Sequence, residues 1–255
     1  MQEKERKYTD RKGTKTVIAV MTVLVLFGIL IAYLYYNKIN RSEDPRVIMA
    51  KVKYGDYNQL VVKNDFDAVF KTLDTIEQIY LRCEDYKNSY EMGVVQNNKA
   101  AAWLTLALIE KDDSVKFSYL DSAKQYTEKG IEIFINWQKD FQTLERNDII
   151  IKISGFYDPN DSAFKNLNLV DIINKRTDDI IKAQTETNRR LSVAYTNLAT
   201  IFRHSGDYEK AILLNKKALG LWPDNLTAKN NINILLGRPI EERTAIEKLF
   251  PKDSD

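Results

Sequence analysis

The chain has 255 residues, 44% of them hydrophobic and 29% charged, with 9 Gly, 5 Pro, one Cys, one His and a formal net charge of +2. So much apolar residue excludes a disordered chain, so little Gly and Pro excludes a β-sandwich or a glycine-loop nucleotide fold, and one Cys excludes a disulfide scaffold. The near-balance of charge excludes a strongly basic nucleic-acid binder.

From Val17 to Tyr36 the sequence reads VIAVMTVLVLFGILIAYLYY, in which only Thr22 and Gly28 fall outside the apolar set. As a helix this run reaches roughly 30 Å, the thickness of a bilayer's hydrocarbon core. A cleaved signal would be shorter and end in small residues, whereas this run ends in Tyr33, Tyr35 and Tyr36, residues suited to the headgroup region. The expectation is an uncleaved transmembrane helix over 16–36, preceded by a basic N-terminus over 1–15. Six cations precede the span (Lys4, Arg6, Lys7, Arg11, Lys12, Lys15) and four follow it within fifteen residues (Lys38, Arg41, Arg46, Lys51). That bias predicts a cytoplasmic N-terminus with the rest of the chain across the membrane. Residues 1–15 also carry three anions, so the remainder holds 32 cations and 33 anions, net −1. This gives no electrostatic footprint for nucleic acid.

Residues 37–46 read as a polar stalk. No proline interrupts residues 46–158, and apolar residues recur there at helical spacing. One helix includes Phe66, Val69, Phe70, Leu73, Ile76 and Tyr80. A second runs from about Tyr86 to Lys111, and a third starts after Asp112 and Asp113, which suit a helix N-terminus. These make 47–145 a region of helical hairpins. Residues 146–169 break the pattern with a short apolar run, Gly155 and Pro159, and read as an insertion or loop; the run Ile149–Ile153 fits strand or helix. Helical patterning resumes near Val170 and holds to His204.

Residues 192–225, SVAYTNLATIFRHSGDYEKAILLNKKALGLWPDN, carry a more specific pattern. Tyr195, Leu198, Ala199, Phe202, Gly206, Tyr208, Ala211, Ala218 and Pro223 stand in the register of a tetratricopeptide repeat, and only Asn215 departs from the expected large apolar residue. The segment therefore resembles one tetratricopeptide repeat. Its small residues let two antiparallel helices approach, Tyr195, Leu198, Phe202 and Tyr208 fill the space around them, and Gly206 and Pro223 end the two helices. One hairpin cannot bury its apolar face alone. Trp103, Leu106, Ala107, Ala123 and Gly130 fit a divergent neighbour, Asn64-Asp65-Phe66 resembles Gly206-Asp207-Tyr208, and Leu226–Leu236 would cap the stack before Gly237. The resemblance implies an all-α fold, a tetratricopeptide-like solenoid of hairpins behind a single transmembrane helix, with 170–245 as repeat and cap and 246–255 as tail. An unrelated helical bundle is the alternative for the divergent part.

Catalytic chemistry is hard to place, because one Cys and one His cannot supply the usual zinc clusters. No phosphate loop or nucleophile elbow is present. The Asp158–Ser162 stretch lacks the glycine and the closing acid of a calcium loop. Cys83 reads as a small buried hydrophobe. Asn-X-Ser/Thr triplets occur at Asn40, Asn160 and Asn225. No catalytic residue, metal site or cofactor is expected.

The resemblance implies instead a concave surface lined by the first helix of each repeat. It places Asn197, Thr200, Arg203, His204, Asn230 and Asn231 there, as a groove for a partner's peptide segment. Solvated polar residues on a helix face are the other reading of the same positions. The functional expectation is a non-catalytic scaffold or assembly factor of a bacterial cell-envelope complex, anchored in the inner membrane with its body periplasmic. A structural subunit using the solenoid as a rigid spacer is the alternative. Partners would be proteins and, through Val17–Tyr36, the lipid bilayer.

Overall fold

The computed structural model describes residues 16–18, 20–33 and 42–242. The basic N-terminus, residues 34–41 of the expected span and stalk, and the tail lie outside the described residues. Every regular element among the described residues is helical. α1 (Thr16–Tyr33) has a mean hydropathy of 2.6 and is long and apolar enough to cross a membrane.

After it come α2 (Ile48–Val62), α3 (Phe66–Leu81), α4 (Tyr90–Ile109), α5 (Asp113–Phe141), α6 (Arg146–Ser154), α7 (Leu169–His204), α8 (Tyr208–Leu221) and α9 (Leu226–Leu235). Consecutive helices pair as α2 with α3, α4 with α5, α7 with α8, and α8 with α9, while α4 and α5 both pack on α7.

Local chemistry sets where the helices begin and end. Ahead of α3, Asn64 takes a left-handed φ of 56° and the Asp65 carboxylate accepts the Ala68 N–H at 3.1 Å. Ahead of α8, Gly206 has φ 86° and Asp207 accepts the Lys210 N–H at 3.1 Å. In both turns the left-handed residue's N–H bonds the carbonyl three residues back and the next N–H bonds the one five back, which is the Schellman arrangement. Gly237 and Arg238 repeat it after α9. Ser89, Asp112 and Asn225 cap α4, α5 and α9 in turn. The Ser89 cap starts α4 at Tyr90, four residues later than the periodicity predicts, because residues 84–86 form a separate 3-10 turn.

The main apolar core joins Leu104 and Ala107 of α4, Leu120 and Phe134 of α5, Leu191 to Ile201 of α7, Ala218 of α8 and Ala228 of α9. Small residues let α4 and α5 approach: a Cβ on Gly93 would stand 2.6 Å from Cε1 of Phe134. Cys83 is buried in a second cluster with Tyr80, Tyr86 and Met92. Tyr208, by contrast, is 59% exposed. It does not fill the α7–α8 contact, because it sits at the first position of α8 and projects past the edge of the hairpin.

Two expectations about segments change. Residues 146–169 are not simply a loop: Ile149 and Ile153 of α6, with Tyr157 and Phe164, are buried against Trp137, Ile172 and Ile180. From Ser42 onward the expected stalk belongs to the body, with Ser42 9% and Asp44 4% exposed. Arg46 explains this. Its guanidinium pairs with Asp44 at 2.7 Å and Asp85 at 3.2 Å, donates to the Phe156 carbonyl at 3.0 Å, and lies 4.7 Å over the Tyr157 ring.

Candidate functional site

The residues expected to line a groove fall on the C-terminal half of α7 and on α9, which pack on each other. Thr196 and Thr200 lie on successive turns of α7, with Asn197 directly after Thr196. Both threonine hydroxyls donate to carbonyls one turn back, at 2.9 and 3.0 Å, so each oxygen keeps a lone pair for a neighbour.

The neighbours come from α9. The Asn231 amide nitrogen donates to Thr200 Oγ1 at 3.2 Å, and its oxygen lies 3.5 Å from an Arg203 nitrogen. Arg203 Nη2 also lies 3.1 Å from His204 Nε2. Thr200, Arg203, His204 and Asn231 therefore form one connected group. Partial burial, then the positive charges of Arg203 and Lys116, push the His204 imidazole below its ordinary pKa. Asn197 reaches the other way, to the Asn97 oxygen on α4 at 3.4 Å.

Asn230 is not part of this group. Its nitrogen donates to the Glu241 carbonyl at 2.9 Å and its oxygen accepts the Glu241 N–H at 2.7 Å. Here an asparagine amide does read extended backbone on both sides, but the backbone belongs to the chain's own segment after α9. Asn231 is only 8% exposed, while Asn197, outside this group, is partly exposed.

Asn197 borders a cavity of about 250 Å³ together with Val193, Thr196, Trp222, Asn225 and Thr227. Its floor is a polar knot. Asn225 Nδ2 donates to Ser192 Oγ at 2.8 Å and Thr196 Oγ1 at 2.9 Å, while Asn225 Oδ1 caps α9. Ser192 in turn donates to the Ala218 carbonyl at 2.7 Å. This knot leaves Asn225, 2% exposed, unavailable for glycan attachment in the folded chain, whatever its triplet. The lining offers amides, hydroxyls and one indole but no titratable group, so its chemistry is hydrogen bonding and apolar contact. Its size suits a side chain or a short peptide stretch rather than a cofactor.

Sequence reasoning did not single out Trp222 or the knot, since Ser192, Thr196 and Asn225 are tied only by the fold. It also missed a second cavity of about 390 Å³ between α3, α4 and α5, bordered by Glu77, Lys129, Glu132 and Ile133; its charged walls are indistinguishable in sequence from a solvated helix face. Among the described residues no group of three or more His, Cys, Asp or Glu is placed to hold a metal ion. The chain matches no family model, and no curated protein or solved structure is significantly similar to it.

Proposed function

We propose that this is a single-pass membrane protein whose helical body is a divergent tetratricopeptide-type scaffold. It binds a partner protein without catalysis, as an assembly factor of a bacterial cell-envelope complex. The observation that carries the reading is the cavity beside Asn197. It is open, lined by groups that recognise peptide rather than transform it, and set between the two helices that the repeat register assigns to a groove. The repeated Schellman-and-Asp turn before α3 and α8 supports a shared hairpin design. The apolar length of α1 supports anchoring, and the cation bias supports an N-terminus in the cytoplasm and a body in the periplasm.

The test uses the full chain in its native membrane. A photo-crosslinking residue at Val193 is expected to capture one partner, and Thr227→Trp, which fills the cavity from an exposed position, is expected to abolish capture with the helical signal unchanged. Unaltered capture in Thr227→Trp and Asn197→Ala overturns the groove. A reporter fused after Asp255 that works only in the cytoplasm overturns the topology.

One observation favours the alternative of a rigid spacer: the amides of Asn197, Asn230 and Asn231 bond within the chain. That reading expects partner capture from outer faces of α5 and α8 and none from Val193.

A further inference from the structure

Three apolar residues at the start of α2 belong to none of the body's apolar clusters. Ile48, Met49 and Val52 are 37%, 55% and 56% exposed and lie within one arc of the helix, while Val47 and Ala50 on the opposite side are fully buried. The outward face is thus as apolar as the inward one. Phe156, itself 40% exposed, is tied to the start of α2 through its carbonyl, which accepts from Arg46 at 3.0 Å.

We propose that this face lies in the headgroup–acyl boundary of the bilayer that α1 spans, so that the body is docked on the membrane surface. The proposal rests on the reading of α1 as a membrane anchor. The distance available argues for lipid as the occupant. Only residues 34–41 separate Tyr33 from Ser42, a reach of at most about 30 Å even if fully extended. Ser42 is not the start of a free linker: Glu43 pairs with Lys51 and Lys175, Lys51 with Asp179 at 3.1 Å, and Asp44 with Arg46. The body is longer than this tether, since α7 alone has 36 residues and so runs about 54 Å. Its tethered corner is therefore confined near the bilayer, and that corner is the one carrying Ile48, Met49 and Val52. Tethering makes the contact intramolecular, so a few apolar side chains suffice where a free protein would need many.

Charge plays little part in this surface. The cations Arg46, Lys51 and Lys175 are committed to Asp44, Glu43 and Asp179, and the charge of Lys53 on α2 is offset by the exposed Asp56 three residues on. The face should therefore read acyl chains rather than anionic headgroups.

The test places the full chain, in a Cys83→Ala background, in phosphatidylcholine nanodiscs. Environment-sensitive fluorophores are attached through Met49→Cys, Val52→Cys, Val23→Cys on α1, or Leu213→Cys on α8, which flanks the far half of α7. Spin-labelled lipid is expected to quench the probes at 49, 52 and 23 by roughly twofold or more and to leave 213 unchanged. Replacing half the lipid with phosphatidylglycerol, or adding salt, should change none of these. If 23 is quenched while 49 and 52 behave like 213, docking is overturned and the anchor stands. If 23 is not quenched, the anchor reading itself fails. Probes at 49 and 52 that are shielded from water but not quenched by lipid would assign the face to another protein surface, a second copy included, and overturn the proposal. Quenching that requires anionic lipid would overturn its apolar basis.

Discussion

Arg176 of α7 and Glu91 of α4 form an ion pair inside the body, with Arg176 Nη2 3.3 Å from Glu91 Oε2 and the guanidinium 4.2 Å over the Tyr86 ring. Arg176 is only 5% exposed. Burial alone would push the Glu91 carboxyl up, but the Arg176 charge and hydrogen bonds outweigh it and hold the carboxyl below its ordinary range. Removing Arg176 leaves the mostly buried Glu91 carboxylate, 21% exposed, without its counter-ion. Arg176→Met is expected to cost about 3–5 kcal/mol of unfolding free energy in a denaturant titration, and adding Glu91→Leu is expected to restore most of it. A double variant no more stable than the single one would show that the pair holds α4 to α7 by more than mutual neutralisation.

Two glycines on the α4–α5 contact should respond oppositely to the same substitution. A Cβ on Gly93 would stand 2.6 Å from Cε1 of Phe134, a fully buried ring that Tyr90 flanks at 5.6 Å. A Cβ on Gly130 meets nothing closer than 3.4 Å. Gly93→Ala should destabilise by about 1–3 kcal/mol through overpacking, partly relieved by Phe134→Leu. Gly130→Ala should be neutral or gain up to about 1 kcal/mol from helix propensity. Thermal melts of the two variants decide the matter, and equal losses would place the close approach elsewhere.

What could be read from residues alone depended on how local its cause was. The Gly206-Asp207 and Asn64-Asp65 turns were legible because a left-handed residue and an Asp cap act within six residues of chain. Asp112 was legible for the same reason. The docking of residues 42–46 is not legible in the sequence, because Asp44 and Arg46 look solvated until Asp85, Tyr157 and Phe164 arrive from distant segments. At the candidate site, the repeat register assigns Asn197 and Asn231 to two first helices, which are α7 and α9. It could not show that the partner of Asn197 would be Asn97, a hundred residues earlier, or that Asn230 would hold Glu241.

Asn215 marks the departure from the repeat pattern, and the structure gives that departure a cost. The side chain is 1% exposed, its Nδ2 donates to the Ala211 carbonyl at 2.9 Å, and its Oδ1 has no hydrogen-bond partner among the described residues. A buried unpaired carbonyl oxygen is unfavourable, whereas leucine of similar size restores apolar contact. Asn215→Leu is expected to stabilise the body by about 1–2 kcal/mol. A loss of stability instead would mean that Oδ1 has a polar partner in solution, and a crosslink at this position would identify it.

His204 is the only histidine in the chain and gives the candidate site a pH dependence of defined sign. Burial, then Arg203 and Lys116, lower its folded pKa below the unfolded value near 6.5. In the window between the two values the unfolded chain binds more protons than the folded one, so unfolding free energy rises with pH there. The contribution is fully present above the unfolded pKa and is lost as pH falls toward the folded one. Denaturant midpoints of the wild-type chain should therefore fall more steeply than those of His204→Gln as pH drops below 7, with the two curves parallel above it. The same protonation sets a second positive charge 3.1 Å from Arg203 and removes the His204 Nε2 lone pair that can accept its N–H.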